Sequence, residues 1–341
     1  MPLPASNDFY SRQILFPGIG EEGQRKLRDA RVAIAGCGAT GSAIASLLAR
    51  AGVGFLRIID RDYVELSNLQ RQTLFDETDA AEFLPKAVAA ARRLSLCNSN
   101  VTIEAQVADL TPDNVDPLLG DCSLIMDGTD NFETRYLIND YAISKNVPWI
   151  YTAAIGSVGV TMNVLPGETA CVACMFPESQ RGAAETCDTA GILNAAVTAI
   201  GAHAAAEALK FFTGAKHLMR RTLLTEDVWW VDHAELPAEA PRPDCRCCMR
   251  RQFPHLAGEN HPHITLCGRN SVQIHEQRRT IDLAQLEQRL QAHGAVRNNG
   301  FALRFWRDPY ELTLFSDGRA IIKGTTDVGI ARSFYARFVG A

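Results

Sequence analysis

The chain has 341 residues, 47% hydrophobic and 21% charged, with a formal net charge of −5. That is an ordinary soluble globular composition, long enough for one large domain with an appendage or for two domains, and its sign argues against nucleic acid or an anionic membrane as a general partner. The start, MPLPASNDFYSRQ, lacks the basic segment and apolar core of a signal peptide, so the 10 cysteines point to a reducing compartment, the cytoplasm, and to metal or catalytic use rather than disulfides.

In chain order, residues 21–28 read as a helix leading into an apolar run, 32–35, that suits a buried parallel strand. Gly36, Gly38 and Gly41 follow at G-x-G-x-x-G spacing, then an Ala/Leu-rich helix over 42–50, then a strand over 55–59 ending at Asp60. Such a unit puts glycine backbone and a helix N-terminus where phosphates bind, and a carboxylate where ribose hydroxyls lie. The expected ligand is an adenine nucleotide, although the glycines alone do not separate a dinucleotide site from a generic tight turn. Ser67-Asn68-Leu69-Gln70-Arg71-Gln72 then adds two amides and a guanidinium. Hydride transfer has no need of that arginine, whereas nucleotidyl transfer does, because negative charge builds as pyrophosphate leaves.

Pro85 opens a helix over 86–94, which places Lys86 in the first turn, against the macrodipole; a phosphate would hold it there, although an exposed lysine is the plain alternative. Residues 101–107 and 121–127 read as strands. The second runs into Gly128-Thr129-Asp130-Asn131, polar groups at a carboxyl strand end where ligands bind in doubly wound sheets. Asp130 is a candidate Mg²⁺ ligand, and Thr129 or Asp130 a candidate N-cap for a helix over 132–144. Strands over 148–153 and 155–160 follow. Cys171 and Cys174 form one C-x-x-C, and Cys245 and Cys248 a second, a pattern for a closed tetrahedral Zn²⁺ site of structural role; Cys247 remains an alternative ligand. A long helix over 191–213 is apolar nearly all round and is expected to be buried. Residues 251–262 read as a linker, and 263–341 as a small α+β appendage whose sequence carries no chemistry.

Together, I-D-x-D-x-V-x-x-S-N-L-x-R-Q at 59–72 and D-x-T-D-N-F-x-T-R-x-x-I-N-D at 127–140 resemble the ThiF/MoeB/HesA adenylating enzymes, relatives of the ubiquitin-activating enzymes, over about residues 9–250. The resemblance implies a doubly wound, Rossmann-like, mostly parallel α/β sheet in an adenylating domain over 1–250. It implies an ATP site of Gly36, Gly38, Gly41, Asp60, Asp62, Asn68, Arg71, Gln72, Lys86, Thr129, Asp130 and Asn131, with Mg²⁺ at Asp130. It implies a homodimer in which Arg12, in Tyr10-Ser11-Arg12-Gln13, reaches the partner's ATP. Cys187, in T-C-x-x-A-G, matches a cysteine that forms covalent acyl or persulfide links in some branches and is dispensable in others. Two departures stand out: G-C-G-A-T-G lacks the usual paired glycines and Leu, and Gly128 replaces a commoner Cys or Ala, a position expected to pack without chemistry.

The expected activity is adenylation of the C-terminal Gly-Gly carboxylate of a ubiquitin-like sulfur carrier of the ThiS/MoaD type, for sulfur transfer from a donor protein in thiamine or molybdenum cofactor synthesis. An NAD-dependent oxidoreductase would explain the glycines and Asp60 but not Arg71, Lys86 and Asp130. A silent scaffold would have no use for those three. A tRNA-modifying dehydratase of the same superfamily fits less well with the cysteine pairs and the negative charge.

Overall fold

The computed structural model describes residues 6–177, 190–259, 264–267, 270–274 and 281–340. The chain divides into two compact units, Met1–Glu259 and Asn260–Ala341. In the first, α1 (Ser6–Ile14) and α2 (Gly20–Asp29) precede β1 (Arg31–Ala35), α3 (Ala39–Ala51), β2 (Phe55–Ile59), α4 (Glu77–Ala81), α5 (Lys86–Cys97) and β3 (Thr102–Gln106). Then come α6 (Val115–Leu119), β4 (Leu124–Asp127), α7 (Phe132–Lys145), β5 (Trp149–Ile155), β6 (Val158–Val164), α8 (Val172–Met175), α9 (Asn194–Thr213), β7 (Thr222–Asp227) and β8 (Asp232–Pro237).

These strands form one sheet in the order β3-β2-β1-β4-β5-β6-β7-β8. The first five run parallel, and β6 to β8 continue antiparallel. β2 is buried along its whole length, as a parallel strand covered on both faces must be. One face packs Ile34, Leu56 and Ile58 against Ile44 and Leu48 of α3, Leu94 of α5 and Ala204 and Ala208 of α9. The other packs Ala33, Ile125 and Trp149 against Leu119 of α6 and Tyr136 and Tyr141 of α7. Small residues bring α3 and α9 together: a Cβ on Gly201 would stand 3.0 Å from that of Ala43. Strand order reverses between β1 and β4, which opens a ligand crevice at their carboxyl ends.

The second unit contains β9 (Ile264–Cys267), β10 (Ser271–Ile274), α10 (Leu283–Leu290), β11 (Ala295–Asn298), β12 (Ala302–Arg307), β13 (Tyr310–Phe315), β14 (Ala320–Lys323) and α11 (Val328–Phe338). Its antiparallel sheet, in the order β11-β12-β13-β14-β10-β9, packs Val272, Leu303, Phe305, Leu312 and Ile322 under Leu286, Leu290, Phe334 and Phe338. Among the described residues of the chain, no helix is long and apolar enough to cross a membrane.

Three sequence expectations change, and three strands were not anticipated. The α7 N-cap is Asn131, whose side chain accepts from the Thr134 N–H, and neither Thr129 nor Asp130 caps it. Helix α9 buries only one side: Ala195, Thr198, Ala202, His203 and Ala206 are exposed, because alanine reads as apolar whether it faces core or solvent. Residues 251–259, read as the start of a linker, belong with the first unit, where Phe253 and Leu256 pack on the core. Strands β7, β8 and β11 lacked a readable alternation; every residue of β8 is exposed.

Candidate functional site

The chain leaves β1 through Gly36, at φ +86°, where only glycine is comfortable, and enters α3 with Gly38 as N-cap. A Cβ on Gly36 would strike the Gly128 backbone, and one on Gly41 or Gly128 would overlap the Gly36 carbonyl oxygen. These three glycines therefore serve close packing of the β1 and β4 ends against the first turn of α3. Gly38 differs: its Cβ would meet only the Gly128 oxygen at 3.8 Å and Gln72 Nε2 at 3.9 Å, in ordinary contact. The room beside Gly38, above the free N–H groups of the α3 N-terminus, suits an anion. Gln72 is 4% exposed, and its Oε1 is buried without a hydrogen-bond partner. An orphaned acceptor beside the glycine turn fits a ligand bearing hydroxyl or amino donors.

Asp60 ties this turn to the next loop. Its Oδ2 accepts the Cys37 N–H at 2.6 Å and its Oδ1 the Asp62 N–H at 2.7 Å. Burial raises its carboxyl above the ordinary range, with nearby Lys86 opposing. Lys86, the first residue of α5, is 7% exposed, with Nζ 3.4 Å from Asp62 Oδ2. Burial alone would lower its pKa; the carboxylates of Asp62, Asp60 and Asp130 reverse this and hold it above its ordinary value. The lysine that opposes the helix dipole is thus held by acids. Asp62 is shared, since Arg61 Nε stands 3.9 Å from its other oxygen.

Asp130 stands exposed on the turn after β4, next to the α7 cap Asn131. Thr129 is fixed beneath it, donating N–H and Oγ1–H to Asp127 Oδ1 at 2.8 and 2.7 Å. Asn68 is buried, and its carbonyl accepts the Arg71 and Gln72 N–H groups at 3.1 and 3.0 Å. Arg71 Nη1 turns back to the Ser67 carbonyl at 3.0 Å. Cys187 lies outside the described residues.

Arg12 sits elsewhere. Helix α1 docks at the far end of α3: Gln13 Nε2 donates to the Ala51 carbonyl at 2.8 Å, and Tyr10 Oη accepts from Asn98 at 2.8 Å. The 13 residues of α3 separate that end from Gly38, about 20 Å at 1.5 Å per residue. Arg12 is exposed there, among exposed Phe9, Leu15 and Phe16.

A second constellation joins α8 to the segment after β8. The sulfurs of Cys171, Cys174, Cys245 and Cys248 lie within 4.8 Å of one another. Cys171 is 3.8 Å from Cys174 and 3.7 Å from Cys245, and Cys174 is 3.4 Å from Cys248. Four thiolates around a tetrahedral ion at about 2.3 Å stand about 3.8 Å apart, so the cluster could hold a metal ion. Cys247 is not in it; its sulfur accepts from Asn139 Nδ2 at 3.1 Å instead.

The sequence alone assigned no chemistry to Asp127 or Arg135, and only packing to Gly128, which the structure packs on Gly36 and Gly41. Asp127 and Arg135 are fixed positions of the D-x-T-D-N-F-x-T-R motif, but their pairing with each other and with Thr152 appears only once β4, α7 and β5 pack together.

The ThiF family model matches residues 10–247. The sulfur carrier protein ThiS adenylyltransferase of Bacillus subtilis is 43% identical over 335 residues, covering 97% of this chain and 99% of that protein. The sulfur carrier protein adenylyltransferase of Thermus thermophilus is 36% identical over 247 residues, covering 71% of this chain and 90% of that protein. The solved structure of E. coli MccB with ATP shares the fold at a TM-score of 0.62, with 24% identity over 71% of this chain and 75% of that one. On the family match over 10–247 and the 43% identity along nearly the whole of the Bacillus subtilis relative, the chain belongs to the ThiF family.

Proposed function

We propose that this chain is an adenylyltransferase that activates the C-terminal Gly-Gly carboxylate of a ubiquitin-like sulfur carrier protein. The observation that carries the reading is that buried Lys86, paired with Asp62 and under the influence of Asp60 and Asp130, is joined to the glycine turn through Asp60, which accepts the Cys37 N–H next to Gly38. The relatives' names give the substrate class. A carboxylate is ionised at neutral pH, so no general base is needed. One carrier oxygen attacks the α-phosphorus of ATP, the bond from that phosphorus to the bridging oxygen breaks, and pyrophosphate leaves with the electron pair. Catalysis is then in-line positioning with charge neutralisation.

In this reading Gly38 and the α3 N-terminus take phosphate, Asp60 holds ribose, Gln72 accepts from the nucleoside, and Asn68, Arg71 and Lys86 bear on the triphosphate. Asp62, Thr129 and Asn131 shape the cation side of the site. Asp130 holds Mg²⁺, which supplies neutralisation of the phosphate charge when bound. Cys171, Cys174, Cys245 and Cys248 hold a structural Zn²⁺. Arg12, a helix length from its own glycine turn, acts on the ATP of a second copy in a homodimer. The exposed small-residue side of α9 is available to that dimer. Cys187 is a candidate for a covalent link during sulfur delivery by a donor protein, in thiamine or molybdenum cofactor synthesis, and the proposed location is the cytoplasm. An NAD-dependent activity would leave the Lys86 cluster without a role.

The test is ATP–pyrophosphate exchange with Gly-Gly-ended carriers of the host. Exchange that needs both carrier and Mg²⁺ supports the reading; no exchange with any such carrier overturns it.

A further inference from the structure

An ion pair lies under the turn that carries Asp130. Asp127, the last residue of β4, is fully buried, and Arg135, one turn into α7, is 5% exposed. Arg135 Nε donates to Asp127 Oδ2 at 2.9 Å, and its Nη2 donates to the Thr129 carbonyl at 2.6 Å and the Thr152 carbonyl at 3.1 Å. Asp127 also accepts the N–H and hydroxyl of Thr129 and, at 3.3 Å, the Thr152 N–H. The guanidinium carbon lies 5.4 Å from the Phe132 ring centroid and 5.1 Å from that of Tyr151.

A buried pair of this kind is weak support for stability, because well-packed apolar side chains often do as well. Its contacts here are directional. They fix the N–H, hydroxyl and carbonyl of Thr129, and hence the peptide plane joining Thr129 to Asp130. Asn131 is fixed from the other side as the α7 cap. The exposed Asp130 carboxylate is thus carried between two immobilised residues. Gly128, wedged on Gly36 and Gly41, registers the same turn against the glycine turn.

We propose that Arg135 and Asp127 are positioning residues that aim Asp130 at the Mg²⁺ of Mg·ATP. This rests on the reading of Asp130 as the Mg²⁺ ligand. Groups behind a metal ligand typically change metal affinity by about 10- to 100-fold when altered.

The experiment is calorimetric titration of ATP into the protein, once with excess Mg²⁺ and once in Mg²⁺-free buffer without chelator, alongside a thermal midpoint without nucleotide. Arg135→Lys keeps the charge but cannot bridge both carbonyls, and Thr129→Val removes one hydroxyl and is the variant least prone to misfold. Arg135→Lys is expected to weaken binding about tenfold with Mg²⁺ and less than about twofold without it, with part of the loss recovered at higher Mg²⁺. Thr129→Val should show a smaller loss of the same selectivity. Equal losses in both arms, or a lowered midpoint with native Mg·ATP affinity, would overturn the positioning role. Asp130→Ala separates the two ideas: if it retains Mg²⁺-dependent affinity, the reading of Asp130 falls and the proposal with it. If it loses that affinity while Arg135→Lys does not, only the positioning role falls.

Discussion

At the scale of single residues, the glycines of the first turn divide into two kinds. Gly36, Gly41 and Gly128 are required by backbone-to-backbone packing, and Gly38 only by what approaches it from outside. Gly41→Ala should therefore destabilise the protein by about 1–3 kcal/mol through overpacking, measured by denaturant unfolding. Gly38→Ala should unfold like the parent yet bind ATP more weakly by calorimetry; equal stability losses in the two variants would refute the division. Asp130 is exposed, so Asp130→Ala should leave the thermal midpoint unchanged while pyrophosphate exchange falls by about 100-fold or more. The spacing of the three glycines and the acid at 60 were legible in the sequence because they recur within one local unit. The division among the glycines was not, because it depends on Gly128, distant in the chain. Gly128 was expected to pack, but its partners Gly36 and Gly41 were not readable for the same reason.

At the scale of elements, α7 joins the two constellations. Its first turns carry Asn131 and Arg135. Further along, Asn139 Oδ1 accepts the Val172 N–H at 2.9 Å, next to Cys171, and Asp140 accepts from Arg246 at 3.2 Å and from the His255 N–H at 3.1 Å. Both cysteine loops thus hang on one helix. With a metal ion held there as proposed, its removal by a chelator, or Cys248→Ser, should lower the thermal midpoint by at least about 5 °C, as loss of roughly 2 kcal/mol would in a domain of this size, and should expose residues 238–259 to protease. The two C-x-x-C pairs could be read from spacing, but the choice of Cys248 over Cys247 could not, because it is made by Asn139. At the opposite end of the sheet, hydrogen bonding from Arg57, opposed by partial burial and helped by Arg31, holds the Asp121 carboxyl at about 2, below its ordinary 3.8. A lowered carboxyl stabilises the fold above its unfolded-state value and ceases to do so as pH falls through its folded value. Asp121→Asn should therefore be less stable than the parent at neutral pH, by about 1 kcal/mol or less at this exposure, with the difference closing between about pH 4 and 2 in acid unfolding.

For the whole molecule, the doubly wound arrangement was legible because β1, β2, β4 and β5 are apolar runs and β3 (TIEAQ) an alternating one, interleaved with helices. The antiparallel extension through β8 was not, since a strand exposed along its length bears no pattern. The solvent side of α9 was hidden by alanine's neutrality. That side and the remote, exposed Arg12 are the features of a single chain that a second copy would complete. Arg12→Ala and Asp130→Ala should each be nearly inactive alone. Mixed and allowed to exchange subunits, they should regain up to about a quarter of parental exchange, because one site in each mixed dimer would be intact. No recovery would place Arg12 in its own chain's chemistry or outside the site altogether.

The most direct measurement is the intact mass of a Gly-Gly-ended carrier after incubation with the protein and Mg·ATP. Carrier-dependent adenylation predicts a gain of one adenylyl group, lost with Lys86→Ala and lost when the carrier lacks its final glycine. A carrier of unchanged mass while ATP is consumed, or an adduct that persists with Lys86→Ala, would contradict it.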